Sequence, residues 1–92
     1  MKLTLHYTGQ LAAHAGTSEE TMSVEAGSAL LPLLRELAAE RGPDFAKFLL
    51  DGAGQPVPTL VVALDGSQIT LDEKTAVNSD TEVTLLTPMA GG

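Results

Sequence analysis

Thr59-Leu60-Val61-Val62-Ala63-Leu64-Asp65-Gly66 sets the frame for the rest of the chain. From Thr59 to Leu64 the run is apolar on both alternating faces, as expected of a central strand covered on either side. Asp65-Gly66 is a strong two-residue hairpin signal, because such turns need positive φ at their central residues. The chain is therefore predicted to reverse there into a short partner strand, Gln68-Ile69-Thr70. On the other side, Asp51-Gly52-Ala53-Gly54-Gln55-Pro56 carries turn chemistry and reads as a loop.

The same reasoning extends in both directions. Asn78-Ser79-Asp80 marks a turn, after which Thr81 to Leu86 alternates with Val83 and Leu85 on one face. At the other end, Leu3, Leu5 and Tyr7 alternate with Lys2, Thr4 and His6, the period of a half-buried strand. Thr21-Met22-Ser23-Val24 alternates again, so a hairpin with the first strand is expected. Between them, Gln10 to Ser18 is rich in small residues and reads as a loop or a single irregular turn. Leu30, Leu33, Leu34 and Leu37 recur at helical spacing, with Arg35, Glu36, Glu40 and Arg41 filling much of the other face. Ser28 is the candidate N-cap, and Pro32 is tolerated only in the first turn. Gly42-Pro43 ends the helix, since glycine suits the left-handed cap and proline cannot continue. Asp44 to Leu50 is expected to add a short helical turn, with Phe45, Phe48 and Leu49 on one side.

Strand, strand, helix, strand, short strand, strand is an α+β order in two layers, a mixed sheet of about four or five strands on one main helix. The predicted domain covers residues 1–86. Residues 87–92, Thr87-Pro88-Met89-Ala90-Gly91-Gly92, show no periodicity and are expected to form a flexible tail; Pro88 blocks extension of the last ladder.

Composition narrows the function. The 92 residues suit one domain, with a single modest core and little room for a deep pocket. The formal charge is −7, with no cluster of Lys or Arg, so nucleic acid and anionic membrane are poor partners and a basic protein surface is a better one. There is no cysteine, which removes disulfides, thiolate nucleophiles and iron–sulfur ligation. Leu60 to Leu64 is the longest apolar run and is far too short to span a bilayer. The strand-like start at Met1-Lys2 is unlike a signal peptide, and a cytoplasmic location is expected.

No conventional active site emerges. His6 and His14 have no third ligand at metal spacing, so no metal site is expected. The Asp51-to-Gly54 glycines lead through prolines into a strand, whereas a phosphate loop must open onto a helix. Glu19-Glu20 and Asp72-Glu73 read as solvated charges. The terminus stands out instead. At average glycine usage, roughly one chain in two hundred would finish on Gly-Gly by chance. Here the pair follows a strand end, a proline stop and a short run of small residues. Glycine has no Cβ, so such a tail suits a narrow channel in another protein.

Leu60 to Gly66, Ser79 to Leu86 and Pro88-Met89-Ala90-Gly91-Gly92, taken together, resemble the ubiquitin-like sulfur carriers, the MoaD/ThiS family. These include the small subunit of molybdopterin synthase, the thiamine-pathway carrier and the carrier of one bacterial cysteine pathway. The resemblance covers essentially the whole chain and implies a β-grasp, ubiquitin-like fold. It implies a carrier rather than an enzyme, with no bound cofactor. An E1-like adenylating partner would use ATP and magnesium to activate the Gly92 carboxylate. A persulfide donor would then displace AMP and leave a terminal thiocarboxylate. Pro88, Met89, Ala90 and Gly91 would thread into that partner, and a larger synthase subunit is a further expected partner. Two features depart from the molybdopterin type: Thr87 stands where many of those carriers have a second proline, and His6-Tyr7 stand where they have bulky aromatics. Pro43 to Pro58 is long for a thiamine carrier, and its Asp51-x-x-Gly54 turn resembles carriers serving amino-acid sulfur pathways. Molybdopterin synthesis is the leading expectation. Cysteine or another thio-metabolite, protein modification through Gly92, and a plain interaction module are the alternatives. Docking is expected on the sheet face away from the helix, through His6, Thr84 and Leu86, and through one alternating set of the central strand, Leu60 and Val62.

Overall fold

The computed structural model describes residues 1–87. Among these, β1 (Lys2–Tyr7) leads into α1 (Gly9–Ala15) and β2 (Glu19–Ser23). Next come β3 (Ser28–Ala29), α2 (Leu30–Arg41) and α3 (Pro43–Ala46). The second half holds β4 (Val61–Leu64), β5 (Ser67–Ile69), β6 (Ala76–Val77) and β7 (Thr81–Leu86). A five-stranded sheet runs in the order β2-β1-β7-β4-β5. β1 and β7 are parallel, and every other neighbouring pair is antiparallel. This is the β-grasp layout, a mixed sheet wrapped on a main helix.

The apolar periods explain the layers. Leu3, Leu5 and Tyr7 of β1 and Val83 and Leu85 of β7 are all buried, on one face of the sheet. Leu30, Leu34 and Leu37 of α2 pack into the same core, joined by Phe45 and Leu49. Tyr7 and Phe45 meet edge to face, with ring centroids 5.5 Å apart, a favoured geometry for aromatic quadrupoles. The turn after β4 is the mirror-image hairpin anticipated from Asp-Gly, with φ of 48° at Asp65 and 85° at Gly66. It seats Leu64 opposite Ser67.

Four expectations need correction. Gln10 to Ser18 is not a loop: α1 occupies most of it, anchored by fully buried Leu11 and closed by Gly16 in the left-handed conformation. One leucine among alanines gives no readable period, and tertiary burial of that leucine stabilises the turn. β1 and β2 do pair, but across this helix rather than through a tight hairpin. Ser28 does not cap α2; its hydroxyl donates to the Glu25 carbonyl at 2.6 Å, and Ala29 is the N-cap residue. Ser28 and Ala29 instead form the short ladder with Val77 and Ala76. β4, finally, is an interior strand, while the middle of the sheet belongs to β7.

Two side-chain networks fasten the helices. The Tyr7 hydroxyl donates to Glu20 at 2.8 Å, and Arg41 pairs with the other oxygen of Glu20 while donating to the Ala15 carbonyl at 3.0 Å. This joins β1, β2, α1 and the end of α2. Burial, then the bond to Glu20, pushes the Tyr7 hydroxyl far above its ordinary pKa. Midway along α2, Arg35 donates to the Gly54 carbonyl at 2.8 Å and to Glu73 at 2.7 Å. Gly54 has φ of +79°, and a Cβ there would lie 3.3 Å from the Arg35 Nε. The long segment after α3 is thus held closely against the helix.

Candidate functional site

With the inner face of the sheet filled, the outer face carries whatever side chains a partner would meet. On β1 and β7 the pleat turns Thr4, His6, Glu82, Thr84 and Leu86 outward, because Leu3, Leu5, Val83 and Leu85 point in. His6 lies opposite Thr84 across the parallel pair, and Ala63 lies opposite Thr84 on the other side. Leu86 pairs with Val61 and is 38% exposed, the one large hydrophobic residue open to solvent among the described residues. His6, Thr84 and Leu86 therefore occupy the face expected of them.

Val62 and Leu60 do not. Val62 is 2% exposed in the core, and Leu60 packs against that core from the connection before β4. The outward residues of β4 are Val61 and Ala63. Both alternating sets of this strand are apolar, so the period fixed the alternation without fixing its sign. Pro88, Met89, Ala90, Gly91 and Gly92 lie outside the described residues.

The outer face also holds charge. His6 Nε2 is 2.7 Å from Glu82, and its Nδ1 is 3.3 Å from Glu19. The imidazole thus bridges three neighbouring strands, β2, β1 and β7. Asp65 accepts from the Glu82 amide at 2.9 Å, and Asp80 accepts from the Lys2 amide at 2.7 Å. Adjacent in the sheet although distant in sequence, these carboxylates gave no signal beyond single turn residues. The result is a face acidic along β7 and its neighbouring turns, and apolar at Val61, Ala63 and Leu86.

The remaining feature is the point where the sheet ends. β7 stops at Leu86, with Leu85 still opposite Tyr7 of β1. The Thr8 hydroxyl donates to the Leu85 carbonyl at 3.1 Å, and the Thr87 hydroxyl reaches the Thr8 carbonyl at 3.4 Å. Chemically, this surface offers binding. Among the described residues, no group of three or more His, Cys, Asp or Glu side chains is placed to hold a metal ion. No helix of the described residues is long and apolar enough to cross a membrane.

Comparison with known proteins gives a consistent answer. The model of the ThiS family matches residues 5–92. No curated protein matches the sequence significantly. Among solved structures, SAMP1 of Haloferax volcanii superposes with a TM-score of 0.82 over 100% of both chains, at 20% identity. A chain in the complex of subunits 1 and 2 of the Helicobacter pylori molybdopterin-converting factor gives 0.61, over 100% of both chains, at 17% identity. CysO of Mycobacterium tuberculosis gives 0.65, over 95% of this chain and 99% of that one, at 18% identity. At such identities the structural likeness establishes the fold.

Proposed function

The chain belongs to the ThiS family of ubiquitin-like sulfur carriers, and from that premise we propose that it carries sulfur on the carboxylate of Gly92. The observation that supports this most is the reach of the family match, which continues past the last strand through Gly91-Gly92. A carboxylate is a poor acyl donor, because its leaving group would be an oxide. Adenylation by an E1-like partner, using ATP and magnesium, replaces that leaving group with AMP. Attack by a persulfide sulfur expels AMP; reductive cleavage of the acyl disulfide by a thiol leaves the thiocarboxylate. That sulfur is nucleophilic at neutral pH and is delivered to an activated carbon of the acceptor. The chain itself catalyses none of these steps and works in the cytoplasm.

Molybdopterin synthesis is the proposed use, with a larger synthase subunit as the receiving partner. A subunit pair of molybdopterin-converting factor among the similar structures supports this choice. Cysteine or another thio-metabolite is the alternative acceptor. Modification of proteins through Gly92 is a second reading, favoured by the likeness to a small archaeal modifier protein. The adenylating partner docks on the outer sheet face through His6, Thr84 and Leu86, with Val61 and Ala63 in place of Leu60 and Val62.

Intact mass after incubation with the adenylating enzyme, ATP and a sulfur donor tests the proposal. A gain equal to exchange of one oxygen for sulfur, located on Gly92 and absent when Gly91-Gly92 is deleted, is the expected result. An isopeptide bond from Gly92 to a lysine, with no sulfur gained, would select modification instead.

A further inference from the structure

Thr8 occupies the N-cap position of α1, yet its side chain makes no cap hydrogen bond. A threonine there ordinarily turns its oxygen to an amide of the first turn. Here the hydroxyl donates across to the Leu85 carbonyl of β7 at 3.1 Å. The next residue, Gly9, has φ of +53°, and a Cβ on it would stand 3.3 Å from the Thr87 hydroxyl oxygen. That hydroxyl donates back to the Thr8 carbonyl at 3.4 Å. The same carbonyl accepts the Leu11 amide at 3.1 Å. Three local oddities converge on one spot: a diverted cap, a glycine at positive φ, and a threonine just past the strand end.

We infer that Thr8 and Thr87 form a clamp that fixes the root of the C-terminal segment, and that both are positioning residues for activation of Gly92. The inference rests on the carrier reading above. β7 loses its ladder at Leu86, and among the described residues it is the Thr87 side chain that bonds the next position back to the domain. Five residues follow, and a fully extended chain of that length spans at most about 18 Å. With the root fixed beside the outer face, a partner docked there meets the carboxylate within that radius. With the root loose, the docked complex forms equally well, but the carboxylate reaches the adenylating centre less often. Docking affinity and turnover are thereby separated.

The test compares Thr8→Val, Thr8→Ser and Thr87→Val with the unaltered protein. Valine keeps the branched shape without the hydroxyl, and serine keeps the hydroxyl. Backbone order parameters at Leu86 and Thr87 come first, since they need no partner. They should stay near ~0.85 in the unaltered protein and in Thr8→Ser, and fall below ~0.6 in Thr8→Val. In adenylation by the partner enzyme, Thr8→Val should lower kcat about fivefold, the equivalent of one ordinary hydrogen bond, with KM unchanged. Thr87→Val should do the same more weakly, and Thr8→Ser should restore kcat. Unchanged order parameters in Thr8→Val would overturn the clamp. A loosened root with unchanged kcat, or a rise in KM alone, would overturn its role in positioning. An unaltered protein with an ordered root that is never adenylated would instead sink the carrier reading.

Discussion

The two faces of β1 and β7 are built from the same strands and obey different rules. Inward, Leu3, Leu5, Tyr7, Val83 and Leu85 are each no more than 3% exposed. Outward, Thr4, His6, Glu82, Thr84 and Leu86 keep contact with water. The inner face contributes burial energy and tolerates little change. The outer face contributes little to stability, since exposed polar contacts such as those of His6 with Glu82 and Glu19 are weak. It is free to be specified by a partner. On the docking proposal above, stability and recognition are divided by the pleat of a single sheet.

Substitutions on each face can break that division or sharpen it. Leu85→Ala should cost about 2–5 kcal/mol, the usual range for a buried leucine truncation, read by denaturant unfolding. Glu20→Gln should cost about 1–3 kcal/mol, because it weakens the partner of both Tyr7 and Arg41. Leu86→Asp should leave stability within about 0.5 kcal/mol while raising KM for adenylation about tenfold. A Leu86→Asp protein that folds and is thiocarboxylated at the normal rate would remove the outer face from docking.

The smallest effects concern pH. The Tyr7 pKa is raised in the fold, so its contribution is present below the ordinary value near 10.0 and declines as pH rises above it. Tyr7→Phe should flatten the alkaline limb of a stability–pH profile. Glu73 has the opposite sign: its bond to Arg35 holds its pKa below the ordinary 4.5. Its contribution is present above that value and is lost as pH falls through the lowered one. Glu73→Gln should make the acid limb slightly shallower, and an unchanged limb would mean that Arg35 holds Gly54 without help from this carboxylate.

Much of this layout was legible in the residues. The strand period of Leu3, Leu5 and Tyr7, the helical spacing of Leu30, Leu34 and Leu37, and the Asp65-Gly66 turn each act within a few residues. Short-range geometry alone sets their pattern. α1 was not legible, because Leu11 is its single buried residue and its burial depends on elements distant in the chain. The tail motif was read from its residues. The acidic surround of His6 could not be, since Glu19, Asp65 and Glu82 meet only through strand pairing.

The sequence by itself determined the longer strands and α2, the alternation of those strands and the small-residue stretch ending on Gly91-Gly92. Tertiary structure decided which alternating set of β4 faces the helices, sending Val62 in and Val61 out. It also decided that the Thr8 hydroxyl serves β7 rather than its own helix. Both choices have one physical reason. Local preference leaves two options close in free energy, and only packing and hydrogen bonds between segments far apart in the chain separate them.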